Sequence, residues 1–282
     1  MNKLFDIQYF CHNKYEKEVN DAFFEYIILP CNDSSQTLLE YSLEQNMKEV
    51  PFIIENSFGF KTLRIRPHKP FKEITLTIHA IVEKKDNELI FQDEISPARQ
   101  NEILQDSNFY IDNYLFIQKT PLTSIDAKNR EFVLKKESLE PVFNFLTKLN
   151  EYVYTSLEYK PEVTTVETSA DEVIGFAKGV CQDFAHVFIS IARANGIPCR
   201  YTSGYVDQGK NHVGSAMMHA WVEAFIPGTG WVGFDPTNNL QVDSGYIKVC
   251  HGRDYSDCSP IKGILFTTGR NETSHKVIVV QQ

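Results

Sequence analysis

Gly179-Val180-Cys181-Gln182-Asp183-Phe184-Ala185-His186 is the stretch around which the chain is organised. A loop becomes a helix here. Cys181, Phe184, Ala185, Phe188, Ile191 and Ala192 recur at helical spacing on one side, and Asp183, His186, Ser190 and Arg193 on another. Asn195-Gly196 ends the helix and Pro198 prevents its continuation. Cys181 therefore falls in the first turn, where the partial positive charge of the helix end favours a thiolate, the nucleophilic form. Gly179 lets the backbone approach closely and leaves room for a substrate carbonyl. A single cysteine at a helix start is ordinarily an inert, buried thiol, so the reading depends on what answers it downstream.

Two segments answer it, Met218-His219-Ala220-Trp221-Val222-Glu223 and Gly230-Trp231-Val232-Gly233-Phe234-Asp235-Pro236-Thr237. The first lies in a strand expected over 216–226, with His219, Trp221, Glu223 and Phe225 on one face. Pro227-Gly228-Thr229-Gly230 supplies the turn, and Trp231 to Phe234 returns as the partner strand. Parity decides whether His219 meets Asp235. If Ile226 paired with Trp231, the two would lie on opposite faces. With a loop of three or five residues, or a glycine bulge, Trp221 sits opposite Asp235 and His219 is its diagonal neighbour. The odd loop or the bulge is the expectation.

In that arrangement Cys181 attacks a carbonyl carbon, and His219 takes the thiol proton and returns it to the leaving amine. Asp235 fixes the imidazole tautomer and stabilises the imidazolium. The backbone N–H of Cys181 and its neighbours are the first oxyanion donors, with the Gln182 side chain a weaker one. Asp183 is a candidate orienting carboxylate. Trp221 and Trp231 are candidate cleft walls, with core packing as the alternative. His186 is read as a packing or hydrogen-bonding residue.

Composition frames this chemistry. The chain has 282 residues, 42% hydrophobic and 23% charged, with a net charge of −9 and a pI near 5.4. That suits a globular protein of two domains and offers no cationic footprint for nucleic acid or anionic lipid. No signal-length apolar run opens it and no stretch is long enough to span a membrane, so a cytoplasmic location is expected. Six cysteines without CxxC or zinc spacing predict reduced thiols, no metal and no cofactor. Asn32-Asp33-Ser34 and Asn271-Glu272-Thr273 match the glycosylation triplet and carry no weight without an export signal.

Residues 1–134 read mostly as strands: Phe23 to Leu29, Lys61 to Arg66, Ile74 to Ile81, then a turn at Asp86-Asn87 before Leu89-Ile90-Phe91. Their period-two patterns predict a β-sandwich-like domain. The catalytic domain is placed at 135–282. Ser138 is expected to cap a helix of about sixteen residues with Val142, Phe145, Leu146, Leu149 and Val153 buried. Ser169 and Glu172 form a capping box on a short helix leading to Gly179.

GVCQDFAH (179–186), ARANGIPCRYTSGY (192–205), HAWVEAFIPGTGWVGFDPTN (219–238) and GRDYSDCSP (252–260) together resemble the bacterial transglutaminase-like superfamily, over about residues 160–265. The β-rich first half is also similar to the region that precedes this domain in many members. The resemblance implies an α+β, papain-like core whose Cys-His-Asp triad falls on Cys181, His219 and Asp235. It implies that many bacterial members are cysteine proteases or amide hydrolases. Two departures bear on this. Animal transglutaminases carry Trp directly after the nucleophile, where Gln182 stands here, and no acidic loop has calcium-ligand spacing. Cys250 and Cys258 are read as structural. The leading expectation is a hydrolase of peptide or isopeptide amides acting on a peptide or protein substrate. The alternatives are acyl transfer to an amine and a non-catalytic binding or scaffold protein. Neither nucleic acid nor membrane is an expected partner, and the oligomeric state stays open.

Overall fold

A computed structural model describes residues 2–85, 95–207, 213 and 217–282. The chain begins with β1 (Lys3–Val19), β2 (Asp21–Tyr26), β3 (Gln36–Gln45), β4 (Phe52–Glu55), β5 (Lys61–Ile65) and β6 (Phe71–Lys84). Alternation is strict where it matters. Along β1, Phe5, Ile7, Tyr9, Cys11, Asn13 and Tyr15 are all buried while their neighbours are less so. The expected turn at Asp86-Asn87 and the strand at 89–91 lie outside the described residues.

Residues 97–132 depart from the β-rich expectation. They form α1 (Pro97–Gln105), α2 (Ser107–Asp112), α3 (Tyr114–Ile117) and two 3₁₀ turns. The local cause is capping: Ser96 accepts from the Arg99 N–H, and Asp106 accepts from those of Asn108 and Phe109. Then come α4 (Val142–Ser156), β7 (Glu158–Tyr159), α5 (Ala170–Phe176), β8 (Lys178–Gly179) and α6 (Cys181–Ala194). The five apolar residues expected inside α4 are all buried, but its cap is not Ser138. Pro141 takes the N-cap position without a side-chain bond, because its fixed φ suits a helix start and it has no N–H to satisfy. The Ser169–Glu172 capping box on α5 forms as expected.

The chain continues through β9 (Cys199–Val206), β10 (His219–Ile226), β11 (Gly230–Asp235), β12 (Leu240–Gln241), β13 (Tyr246–Gly252) and α7 (Tyr255–Cys258). It ends in β14 (Ile261–Phe266) and β15 (Asn271–Gln281). β9 to β13 make one antiparallel sheet in the order β12-β11-β10-β9-β13. α6 packs across it, with Phe188 stacked on Phe234 at 5.8 Å between ring centres. The polar stripe of α6 does not face solvent, because the helix is buried on every side. Each residue of the stripe has at least one structural partner. Ser190 donates to the His186 carbonyl, and Arg193 donates to the carbonyls of Phe116, Gln118, Cys199 and Arg253. Loops from before and after the sheet are thereby tied to one helix.

Both sheets of the N-terminal sandwich are completed from the other end of the chain. Their orders are β15-β1-β6-β3 and β14-β2-β5-β4. The expected division at 134/135 leaves β14 and β15 on the catalytic side, whereas they pair with β2 and β1. Nothing local in 261–281 reveals this, since an edge strand reads the same whichever neighbour it takes. The helices of 97–132 pack the other way, Phe109 against Phe225 and Phe116 against Trp231.

The two halves share a core. The buried Gln36 side chain acts as an extra rung beside β13, donating to the Lys248 carbonyl at 2.8 Å and accepting from the Lys248 N–H at 2.8 Å. The Tyr205 hydroxyl donates to the Ile28 carbonyl at 2.6 Å. Among the described residues no helix is long and apolar enough to cross a membrane. A fragment of 135–282 keeps β14 and β15 but lacks the strands they pair with, exposing two unsatisfied edges. It is expected to aggregate on size-exclusion chromatography, while the full chain runs as a defined species. A monodisperse fragment with cooperative unfolding would contradict this account of the fold.

Candidate active site

The junction between β8 and α6 sets the position of Cys181. The Val180 N–H donates to Asp183 Oδ2 at 2.7 Å, and the Thr164 hydroxyl donates to the same oxygen at 2.6 Å. Asp183 is fully buried, and burial raises its pKa against these hydrogen bonds. A Cβ on Gly179 would come within 2.5 Å of this carboxylate, so only glycine permits the approach. Asp183, the candidate orienting carboxylate, is buried and fastens the start of α6. Cys181 is the first residue of that helix and is partly exposed.

The hairpin has the expected parity. Ile226 pairs with Gly230 and Phe225 with Trp231, leaving a loop of three residues, 227–229. Gly228 and Gly230 have φ of +91° and +100°, a region glycine enters without strain. Continued one pair past Val222–Phe234, the register sets Trp221 opposite Asp235. His219 Nε2 donates to Asp235 Oδ2 at 2.8 Å, and both side chains are wholly buried.

A carboxylate in the interior must be satisfied many times over. Asp235 Oδ2 also accepts from Asn238 Nδ2 at 2.7 Å and from the Tyr246 hydroxyl at 2.8 Å. Its Oδ1 accepts the Thr237 N–H at 2.9 Å and the Asn238 N–H at 3.3 Å. Burial works to raise its pKa, but His219, Asn238 and Tyr246 hold it below the usual carboxylate value. On His219, burial alone lowers the pKa. The Asp235 charge and hydrogen bond, together with the Cys181 thiol, outweigh it and raise the imidazole to about 10. Nε2 is committed to Asp235, and Nδ1 has no hydrogen-bond partner among the described residues. The thiol interaction therefore belongs to the Nδ1 side. The arrangement can hold an imidazolium next to a sulfur nucleophile at a helix N-terminus.

Cys181 and His219 open onto a cleft of about 200 Å³. Gln182, Tyr201, Ser203 and Met218 line it, and two residues come from the sandwich, Tyr9 on β1 and His275 on β15. Gln182 is buried, lines the cleft and donates from its Nε2 to the Val166 carbonyl at 3.5 Å. Trp221 and Trp231 do not line this cleft. Trp221 is buried, stacked near the His219 ring at 24° between planes and edge-on to Tyr246, so it packs the imidazole in place. Trp231 lies under the Arg200 guanidinium at 4.1 Å. His186 is buried and accepts the Tyr255 N–H at its Nε2 with its pKa lowered by burial, consistent with a packing role.

Asn238, Tyr246, Tyr9 and His275 stand outside the residues that the motifs mark. Asn238 carries a signal in the sequence, standing three residues after Asp235 where an Asx-type turn folds back. Tyr246, Tyr9 and His275 carry none, because register between distant strands places them.

The chain is similar to known proteins in this region. Residues 129–236 match the family model of the transglutaminase-like superfamily. An uncharacterized protein of Mycobacterium tuberculosis is 39% identical over 140 residues, 46% of this chain and 45% of that one. The chain therefore spans less than half of that relative's length. A protein-glutamine gamma-glutamyltransferase of Pseudomonas aeruginosa is 33% identical over 117 residues, 38% of this chain and 18% of the enzyme. Among solved structures, a cysteine-protease candidate from Cytophaga hutchinsonii superposes with a TM-score of 0.79. That match covers 100% of this chain and 91% of the other at 21% identity, a likeness of fold.

The buried pair yields an expectation for stability. His219's folded pKa lies above its ordinary 6.5, so the imidazolium stabilises fully below about pH 6.5, and this contribution is lost as pH rises through 10. Asp235→Asn removes the partner charge and is expected to cost about 3–5 kcal/mol on the acid side of this window. The gap from the native protein, measured by denaturant unfolding, should shrink as pH climbs to 10. A gap that stays constant across the window rejects the pair as the source.

Proposed function

We propose that the protein, whose residues 129–236 match the family model of the transglutaminase-like superfamily, is a thiol-dependent acyl-transfer enzyme that hydrolyses a peptide or isopeptide amide. The buried His219–Asp235 hydrogen bond of 2.8 Å beside Cys181 carries this reading. The Cys181 sulfur attacks the amide carbon. The N–H groups of Cys181 and Gln182 at the start of α6 take the oxyanion, those of Asp183 and Phe184 being bonded to the Val180 carbonyl, and the Gln182 side chain assists. His219 protonates the leaving amine as the tetrahedral intermediate collapses to a thioester. Water then enters, His219 takes its proton, and the acid departs with the thiol restored. Asp235 keeps the ring oriented and offsets its charge throughout.

Two observations favour water as acceptor. A lysine amine arrives as a cation, and no carboxylate is among the described residues lining the cleft. Gln182 occupies the position where animal transglutaminases carry Trp. Transfer to an amine is supported by the likeness to the Pseudomonas gamma-glutamyltransferase and shares every step up to the thioester.

The experiment is alkylation by iodoacetamide across pH, with the labelled thiol mapped by mass spectrometry, followed by assay of a peptide and amine library. Cys181 is expected to react at neutral pH at least tenfold faster than the buried Cys11 and Cys199, whose thiols burial pushes up to about 12. Hydrolysis is expected to exceed amine incorporation and to vanish in Cys181→Ala. Equal reactivity of the three thiols would sink the enzyme reading, and dominant amine incorporation would move the assignment to transfer.

A further inference from the structure

The cleft above Cys181 does not end at the catalytic sheet. Its wall at Tyr255, Pro260 and His275 is also the wall of a second cavity of about 300 Å³. This second cavity occupies the open side of the sandwich. β14 and β15 are both edge strands, each paired on one side only, and they flank the same opening. In β15, His275, Thr273 and Asn271 stand opposite Cys11, Asn13 and Tyr15 of β1, so all three share the inner face of that sheet. Across the gap, Gly263 of β14 lines the same cavity, with the Phe24 ring packed where its side chain would stand.

From these observations we propose that the groove between β14 and β15 is a substrate-binding subsite of the Cys181 cleft, which takes an extended, uncharged polypeptide segment. The inference rests on the amide-hydrolase reading and names the substrate region that the sandwich recognises. Length supports it. His275 to Asn271 spans about 13 Å of strand, the reach of about four extended residues. Chemistry supports it as well. Asn13, Asn271, Thr273 and Tyr15 offer neutral donors and acceptors, and no Asp, Glu, Lys or Arg is among the described residues lining either cavity. The junction residue is held in place: His275 Nδ1 shares a hydrogen bond of 2.9 Å with the Tyr9 hydroxyl, and burial lowers its pKa. Free edges on both sides offer main-chain groups to an extended ligand, the usual basis of strand-wise peptide capture.

The test uses uncharged peptides of increasing length on either side of one scissile amide, with the full chain and with Thr273→Trp and Asn271→Trp. Both changes fall on exposed positions of an edge strand away from Cys181. In the native protein kcat/KM is expected to rise at least tenfold over about four added residues on one side and then level off. In the Trp variants the rise is expected to disappear while the variants still unfold cooperatively in denaturant. No length dependence in the native protein, or a full rise in both variants, overturns the groove. Anisotropy of a fluorescein-labelled library of uncharged decapeptides on Cys181→Ala reads the groove without chemistry. Binding there that Thr273→Trp weakens tenfold supports the groove even if no peptide is cleaved, in which case the hydrolase reading falls instead. Absence of binding, with Cys181 of the native protein labelling normally, overturns the groove and leaves the hydrolase reading standing.

Discussion

A carboxylate and an imidazole meet in the interior of this protein, both side chains wholly buried. Neither charge is tolerable there alone. Together they demand donors on every lone pair of Asp235, and the surrounding structure is arranged to supply them. The turn after β11 gives two N–H groups and the Asn238 amide. β13 gives the Tyr246 hydroxyl, which requires that strand to sit on the far side of β9 and its Tyr246 to reach back across the sheet. The three-residue hairpin loop is a consequence of the same demand, since one residue more or fewer puts His219 on the wrong face.

The thiol is positioned by a different device. α6 has almost no solvent face, so its polar residues act as anchors. Asp183 locks the entry to the helix, His186 receives the chain at Tyr255, and Arg193 gathers four carbonyls from three separate segments. A buried Arg bonded to carbonyls costs desolvation that a leucine would not. In return it fixes the helix against loops that no apolar contact could register. Cys181 thus sits at the end of a rigid rod, while His219 and Asp235 sit on a rigid sheet.

What could be read from sequence follows from how local each determinant is. The hairpin parity was legible because a period of two and a count of turn residues fix it, and α6 was legible from its spacing and its Asn195-Gly196 end. The helices of 97–132 were missed because Ser96 and Asp106 are weak cap signals inside a region otherwise rich in alternation. Ser138 suits a cap by residue type, whereas Pro141 starts the helix by its geometry. The completion of both sandwich sheets by β14 and β15 was not legible at all. Tyr9 and His275 are 266 residues apart, and no local pattern encodes that pairing.

That last point separates two layers of the molecule. The stretch that matches the family model ends at residue 236 and contains Cys181, His219 and Asp235, the proposed catalytic groups. Tyr246, Tyr255, Pro260 and His275 lie beyond it, and Tyr9 lies far before it. The outer layer therefore steadies Asp235 through one residue and walls the cleft through the others. A common core can keep its chemistry while the strands that wrap it change. In this chain the wrap is a sandwich whose β1 and β15 each set one residue, Tyr9 and His275, in the cleft wall, so an occupant of the cleft meets side chains of the sandwich as well as of the core.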